Sequence, residues 1–408
     1  MTFKKNLKQK VTWFTIFLLI LSLPWFADLS LLFYGSKGRT LGAFIEPSFD
    51  EVLISASILI IFNAIAFFTA LFICRPINSF QSFQNIVSNN SIEAACFSLL
   101  PIFFFLNLFF LSNALQDGIV NVLLAFRSQS EKIGFLGYFV IIFCPIVLSV
   151  TWRFNKNLLN YSFLILISAT NLLTGFRVLL INGLIFILIY NHQHFLRSSF
   201  KKISLITIFF VTSLLIYEFF RAGLESGDVL FGDDDRSVFD SLARSVPIRY
   251  MSIALRENLT LNWSVLVKLL VEPFSVVLSQ IFPNTVIESA SLLVSEPMVR
   301  SYLIWRGTPF DESTGFSVHV LAQSFLFDGV LGVALFSCLI GLFLGIGVRL
   351  VRVQSSLNRL LGTILLTFVV SCSEAFSEAW KLLCYWMIFL VILIFYARII
   401  SLIKPRKN

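Results

Sequence analysis

The chain has 408 residues, of which 57% are hydrophobic and 13% charged, with a formal net charge of +8. A soluble domain carries about 25% charged residues, so this chain has too little polar surface to cover itself in water. That excludes an ordinary soluble enzyme, leaves no nucleic-acid partner to expect, and makes lipid the solvent.

Runs such as 100–111 and 330–344 are almost continuously apolar rather than alternating, which favours helices over a β-barrel. The expected fold class is an all-α polytopic membrane protein with about ten transmembrane helices, each needing about 20 apolar residues. A single integral membrane domain over 1–408 is expected, with one large loop at 221–317. The six cysteines stand singly in or beside apolar runs and form no CxxC pair, so inert packing thiols are expected.

Taken in order, the first span covers 11–32, and its Lys4/Lys5 prelude resembles a signal peptide. The segment Pro24-Trp25-Phe26-Ala27-Asp28 is a poor cleavage site, so a retained helix is expected. Further spans are expected at 52–74, 94–111 and 134–152, with a short surface helix across 113–132 that carries Arg127. The stretch 158–190 would make one helix about 50 Å long, well over the roughly 30 Å of a hydrocarbon core. It is expected to break at Thr174-Gly175-Phe176-Arg177 into two short spans. A seventh span at 203–220 leads into the large loop.

Beyond the loop, a break is expected at Asp328-Gly329, with the arm 319–327 lying at the interface or dipping into the protein. Spans at 330–348, 361–371 and 382–402 complete the set, with a short acidic turn at Glu374 and Glu378. In this layout the basic clusters Arg75, Arg153/Lys156, Arg197/Lys201/Lys202, Arg349/Arg352/Arg359 and Lys404/Arg406/Lys407 fall on the side of both termini. By the positive-inside rule that side is cytoplasmic, and the loop is outside. Residues 263–282 within the loop read as an amphipathic helix packed on the outer face, since Lys268, Glu272 and Pro273 interrupt its apolar run.

The loop is the expected working surface. It holds seven arginines (Arg221, Arg236, Arg244, Arg249, Arg256, Arg300 and Arg306) but one lysine, Lys268. A guanidinium grips phosphate or carboxylate with a planar fork that ammonium lacks. The competing reading pairs these arginines with the loop's own acids, Asp233 to Asp235, Asp240, Glu257 and Glu272 among them. Arg177, between two short apolar helices, either binds an anion or snorkels to the headgroups. His319, just before a span, is either a general base or a structural hydrogen-bonding residue, and Asp311, Glu312 and Asp328 are rival bases. No P-loop, HExxH or dinucleotide-binding turn is present, so any reaction must start from an already activated donor. No cofactor and no metal are expected.

In layout the whole chain resembles the Wzy-type O-antigen polymerases, which join oligosaccharide repeat units. Three segments carry the likeness: Thr174-Gly175-Phe176-Arg177; Arg221 followed by Gly232; and Gly315-Phe316-Ser317 leading through Gln323 to Asp328-Gly329-Val330-Leu331-Gly332. The place of Gln323 tends to be acidic in that family, and the departure here moves weight for the base towards His319.

The resemblance implies a GT-C-like glycosyltransferase of the bacterial inner membrane with both termini cytoplasmic and a periplasmic loop. Its implied partners are undecaprenyl-pyrophosphate-linked oligosaccharides, membrane lipids and a chain-length regulator protein. Arg127, Arg177, Arg221, Arg244, Arg249, Arg300 and Arg306 would bind substrate, and His319, Asp311 or Glu312 would supply the base. Trp263, Tyr302 and Trp305 would stack on sugars.

Two alternatives are weighed, of which the first shares the layout. An O-antigen ligase also places a functional histidine in its outer loop, but Val320 follows His319 where a small polar residue would be favoured. A lipid-linked oligosaccharide flippase or transporter would be expected to show matching broken helices in two halves, and none is visible.

Overall fold

The computed structural model describes residues 2–34, 46–74, 88–115, 128–152, 158–174, 177–191, 247–281, 318–353, 355–373 and 375–403. Every regular element among them is helical: α1 (Thr2–Tyr34), α2 (Phe49–Ile73), α3 (Asn89–Leu115), α4 (Ser128–Trp152), α5 (Leu158–Thr174), α6 (Arg177–Tyr190), α7 (Pro247–Arg256), α8 (Trp263–Ile281), α9 (Val320–Leu326), α10 (Val330–Val351), α11 (Ser356–Ser371) and α12 (Phe376–Ile403). Five of these, α1, α2, α3, α10 and α12, are long and apolar enough to cross a membrane. Shorter apolar helical segments occupy Val140–Trp152, Ile181–Tyr190 and Ser356–Ser371. The expected span at 203–220 lies outside the described residues.

The expected break at Thr174-Gly175-Phe176-Arg177 falls on residues 175–176, outside the described residues; α5 is described to Thr174 and α6 from Arg177. The expected break at Asp328-Gly329 separates α9 from α10, and its cause is visible. Asp328 and Gly329 both take positive φ, +86° and +58°, a region that glycine enters without steric cost. Gly332 then passes against the carbonyls of Ser324 and Phe327, where a side chain would collide with backbone. One expectation needs correction: Glu378 does not sit in a turn but in the first turn of α12, which starts at Phe376.

The chain forms two compact units: Met1–Asn78, Asp235–Arg349 and Phe368–Cys384 make the first, and Ser79–Asp234, Leu350–Thr367 and Tyr385–Asn408 the second. In the first unit, α1 and α2 are antiparallel. Lys10 Nζ donates to the Cys74 carbonyl (2.6 Å), Asn63 Nδ2 to Ser22 Oγ (3.0 Å) and Trp25 Nε1 to Ser55 Oγ (2.9 Å). Along α10, Gly341 meets Ala66 of α2 and Gly345 meets Ala70, so these two helices run parallel. Phe336 of α10 lies 4.8 Å from Phe376, the first residue of α12, while Phe343 lies 4.9 Å from Phe368 near the end of α11. The starts of α2, α10 and α12 therefore share one end of this unit with the later part of α1. That end also carries α7, α8 and α9, and is called the loop end below.

The second unit is built around α4, whose residues from Val140 to Val150 are all buried. Phe143 stacks on Phe389 at 4.3 Å, Trp386 donates to the Ile142 carbonyl at 3.0 Å, and Gly183 of α6 abuts the Pro145 ring. Arg359 lies over the Tyr190 ring at 5.6 Å, a cation–π contact that suits a charge held away from water.

Candidate functional site

Helix α7 carries the described arginines of the loop, Arg249 and Arg256, and its sequence sets how it docks. Pro247 occupies the first helical position, where its missing N–H is no loss. The next two N–H groups, of Ile248 and Arg249, donate to Asp28 Oδ2 at 2.9 and 3.3 Å. A carboxylate from α1 thus caps the helix from outside, in the position an N-cap aspartate would take. The Arg249 guanidinium completes the contact, with Nε 3.1 Å from Asp28 Oδ1. Both side chains are sealed, at 2% and 0% exposure. Among the described residues Arg249 Nη1 has no hydrogen-bond partner.

The other end of α7 is fastened to the start of α2. Arg256 meets Glu51 with both arms, Nε to Oε1 at 2.6 Å and Nη2 to Oε2 at 2.7 Å, and Nη2 also donates to the Glu46 carbonyl at 2.8 Å. Bidentate pairing of this kind needs the guanidinium fork. It holds the Arg256 pKa above its ordinary value through the hydrogen bonds to Glu51. Glu51 is already oriented, because it closes a capping box with Ser48 at the start of α2.

Below α7, the short helix α9 is buried along most of its length. Its N-cap is His319, whose Nδ1 accepts from Leu321 N–H at 3.1 Å. Its Nε2 lies 3.2 Å from the Leu21 carbonyl, which assigns the ring proton to Nε2 and makes that nitrogen the donor. Burial depresses the His319 pKa to about 4, so the ring is neutral. In this arrangement its one lone pair is already engaged in the cap. Gln323, one turn on, accepts from Phe376 N–H at 3.1 Å and so caps α12. The Gln323 amide Nε2 is buried without a partner among the described residues.

Two of the expected site residues therefore lie at the loop end with their side chains described. Arg249 is held by Asp28, and His319 by Leu21 seven residues earlier on α1, about 10 Å along a helix axis. The partner of Arg249 is a residue of α1 rather than a loop acid. Arg177 begins α6 in the second unit. Arg127, Arg221, Arg244, Arg300, Arg306, Asp311 and Glu312 lie outside the described residues. Trp263, expected on sugars, leans on Phe327 with ring centres 5.9 Å apart.

Asp28 and Glu51 were not singled out from sequence. The signal for Asp28 was a carboxylate on an otherwise apolar span, which demands a partner, and for Glu51 the spacing Ser48 to Glu51. Neither spacing names the arginine that answers it. The chain matches no known protein-family model, no curated protein and no solved structure.

Proposed function

We propose that this chain is a membrane glycosyltransferase that polymerises lipid-linked oligosaccharide repeat units at the loop end. A hydroxyl at the non-reducing end of the acceptor unit attacks the anomeric carbon of the donor glycan. The bond from that carbon to the lipid pyrophosphate breaks, a carboxylate takes the hydroxyl proton, and the lipid pyrophosphate leaves. Arginines of the loop balance the charge on the leaving group, which is where preorganised cations act most strongly. The observation that carries this reading is the double fastening of α7 by Asp28 and Glu51. It moors part of an arginine-rich segment to two apolar helices, where a substrate with a polyprenyl tail and a pyrophosphate head would lie. Because the lone pair of His319 is engaged in capping α9, we assign the base to Asp311, Glu312 or Asp328.

The test is a lipopolysaccharide gel from cells lacking the chain. Collapse of the ladder to core plus one repeat unit supports the polymerase. Bare core with polymer accumulating on the carrier lipid outside assigns a ligase, and bare core with single units trapped inside assigns a flippase. At normal protein levels, Arg306→Lys or Arg177→Lys should shorten or abolish the polymer, since lysine keeps charge and loses the fork. A normal ladder from both removes them from the site.

A further inference from the structure

Helix α8 carries two apolar faces where the fold uses one. Leu269, Glu272 and Pro273 are buried against the rest of the first unit. On the opposite side Trp263, Val267, Val271 and Phe274 are 38%, 61%, 50% and 49% exposed. At about 100° per residue these four fall within about 80° of arc, centred opposite the buried three. Ser264, Lys268 and Ser275 line up along one border between the two faces. A helix lodged in a protein interior would not leave an apolar stripe open, and one standing in water would not display it.

The contacts of α8 fix its level. Trp263 packs on Phe327, three residues before α10 begins. Trp380 Nε1 donates to the Leu270 carbonyl at 3.0 Å, and Lys381 Nζ lies 3.2 Å from Glu272 Oε1, both within the first turns of α12. Phe327, Phe336, Phe376 and Trp380 form one chain of ring contacts, so these attachments belong to one cluster at the loop end. The seven residues from Trp263 to Leu270 cover about 10 Å, close to the 8–10 Å spacing of packed helices. Helix α8 thus reaches from the residues just before α10 to the first turns of α12. At the same level the spans show apolar surface outward: Val330 and Leu331 of α10 and Phe49 and Leu53 of α2 are all exposed.

We infer that α8 lies in the membrane boundary at the loop end, with Trp263, Val267, Val271 and Phe274 sunk among the acyl chains of that leaflet and the Ser264–Lys268–Ser275 border towards water. Trp263 is then an interfacial anchor, as tryptophan commonly is at that depth. The inference stands apart from the glycosyltransferase reading.

The experiment places a nitroxide at position 267, 268, 271 or 274, one at a time. It uses the full chain in phosphatidylcholine–phosphatidylglycerol vesicles, with the native cysteines replaced by alanine. Collisions with oxygen and with a water-soluble nickel chelate are then compared. Labels at 267, 271 and 274 should favour oxygen, report depths about 5–10 Å below the phosphates, and agree with one another within about 5 Å. The label at 268 should favour nickel. A steady deepening of about 10 Å from 267 to 274 would mean that α8 spans, and overturns the inference. So does dominant nickel access on the stripe, which means water, or low access to both probes, which means a protein partner. If the cysteine-free chain does not fold, the unaltered chain is labelled with a phosphatidylcholine carrying a diazirine high on its acyl chain. Label in peptides from α8 supports the inference, and label in α10 and α12 but not α8 overturns it.

Discussion

Two regions of the first unit are held together by opposite means. In the later half of α2 and of α10, Gly341 and Gly345 press against Ala66 and Ala70 with no charge involved, and an added Cβ on Gly341 would stand 2.5 Å from the Ala66 carbonyl. At the loop end, α7 is held by Asp28 and Glu51, each answering an arginine. Between spans there is no hydrophobic drive, since lipid is as apolar as leucine, so close contact of small residues does the holding. Helix α7 is buried from Pro247 to Ala254, and a carboxylate adds to that packing by answering the backbone donors its first turn leaves unsatisfied. The two regions should respond to substitution in different ways.

The largest effect is expected at Asp28. Asp28→Ala strands the Arg249 charge and two N–H groups in the interior, at a cost of about 3–5 kcal/mol, read as a large drop in thermal midpoint in detergent. A midpoint near the parent's would break the contrast. The double variant Asp28→Asn with Arg249→Leu removes both charges while keeping an acceptor for the helix N–H groups, and should recover most of the loss. If its polymer ladder is also normal, Arg249 has no part in substrate binding; a stable but inactive double variant assigns it one.

Next comes the neutral contact. Gly341→Leu should cost about 1–3 kcal/mol through overpacking, independent of pH and salt, whereas Gly345→Ala should cost less. Pronounced salt dependence in Gly341→Leu would mean that charge enters that contact after all.

His319 sharpens the picture through pH. Its folded pKa is depressed to about 4 by burial, below the ordinary value near 6.5. The unfolded chain therefore binds this proton first as pH falls. The contribution of the neutral ring is complete above about pH 6.5 and is lost as pH falls towards 4. Unfolding midpoints measured across that window should fall more steeply for the parent than for His319→Ala, which should itself cost about 1 kcal/mol as a lost cap. Parallel slopes would remove His319 as the titrating group.

Arg256 should matter least. It is 37% exposed, so Arg256→Ala is expected to cost up to about 1 kcal/mol, and less in high salt. A loss that salt leaves unchanged would show that packing of the arginine stem, not its charge, holds that end of α7.

Much of the secondary structure was legible because it rests on local rules. Apolar runs of span length gave α1, α2, α3, α10 and α12. Glycine marked the break at 329, and the interrupted run at 263–281 forms a helix with one apolar face buried and another exposed. The candidate site was less legible. His319 stands before a span, where a base would be placed, but the same position makes it an N-cap, and nothing local distinguishes a ring facing a substrate from one facing Leu21. Gln323 looked like a departure from an acidic pattern, whereas its Oε1 closes the first turn of α12, 53 residues away.

The sequence by itself determined the class of this protein, the helical character of its apolar runs and the places where they stop. Hydropathy and backbone sterics act over one turn or one span, and both are written residue by residue. Only the tertiary structure decided that Asp28 answers Arg249 across 221 positions and Glu51 answers Arg256 across 205. It also decided that α9 is buried and that α8 leaves a second apolar face open. Seven arginines and many carboxylates allow numerous pairings of equal chemistry. The choice among them falls to whichever ends of the helices the packing of the spans brings together.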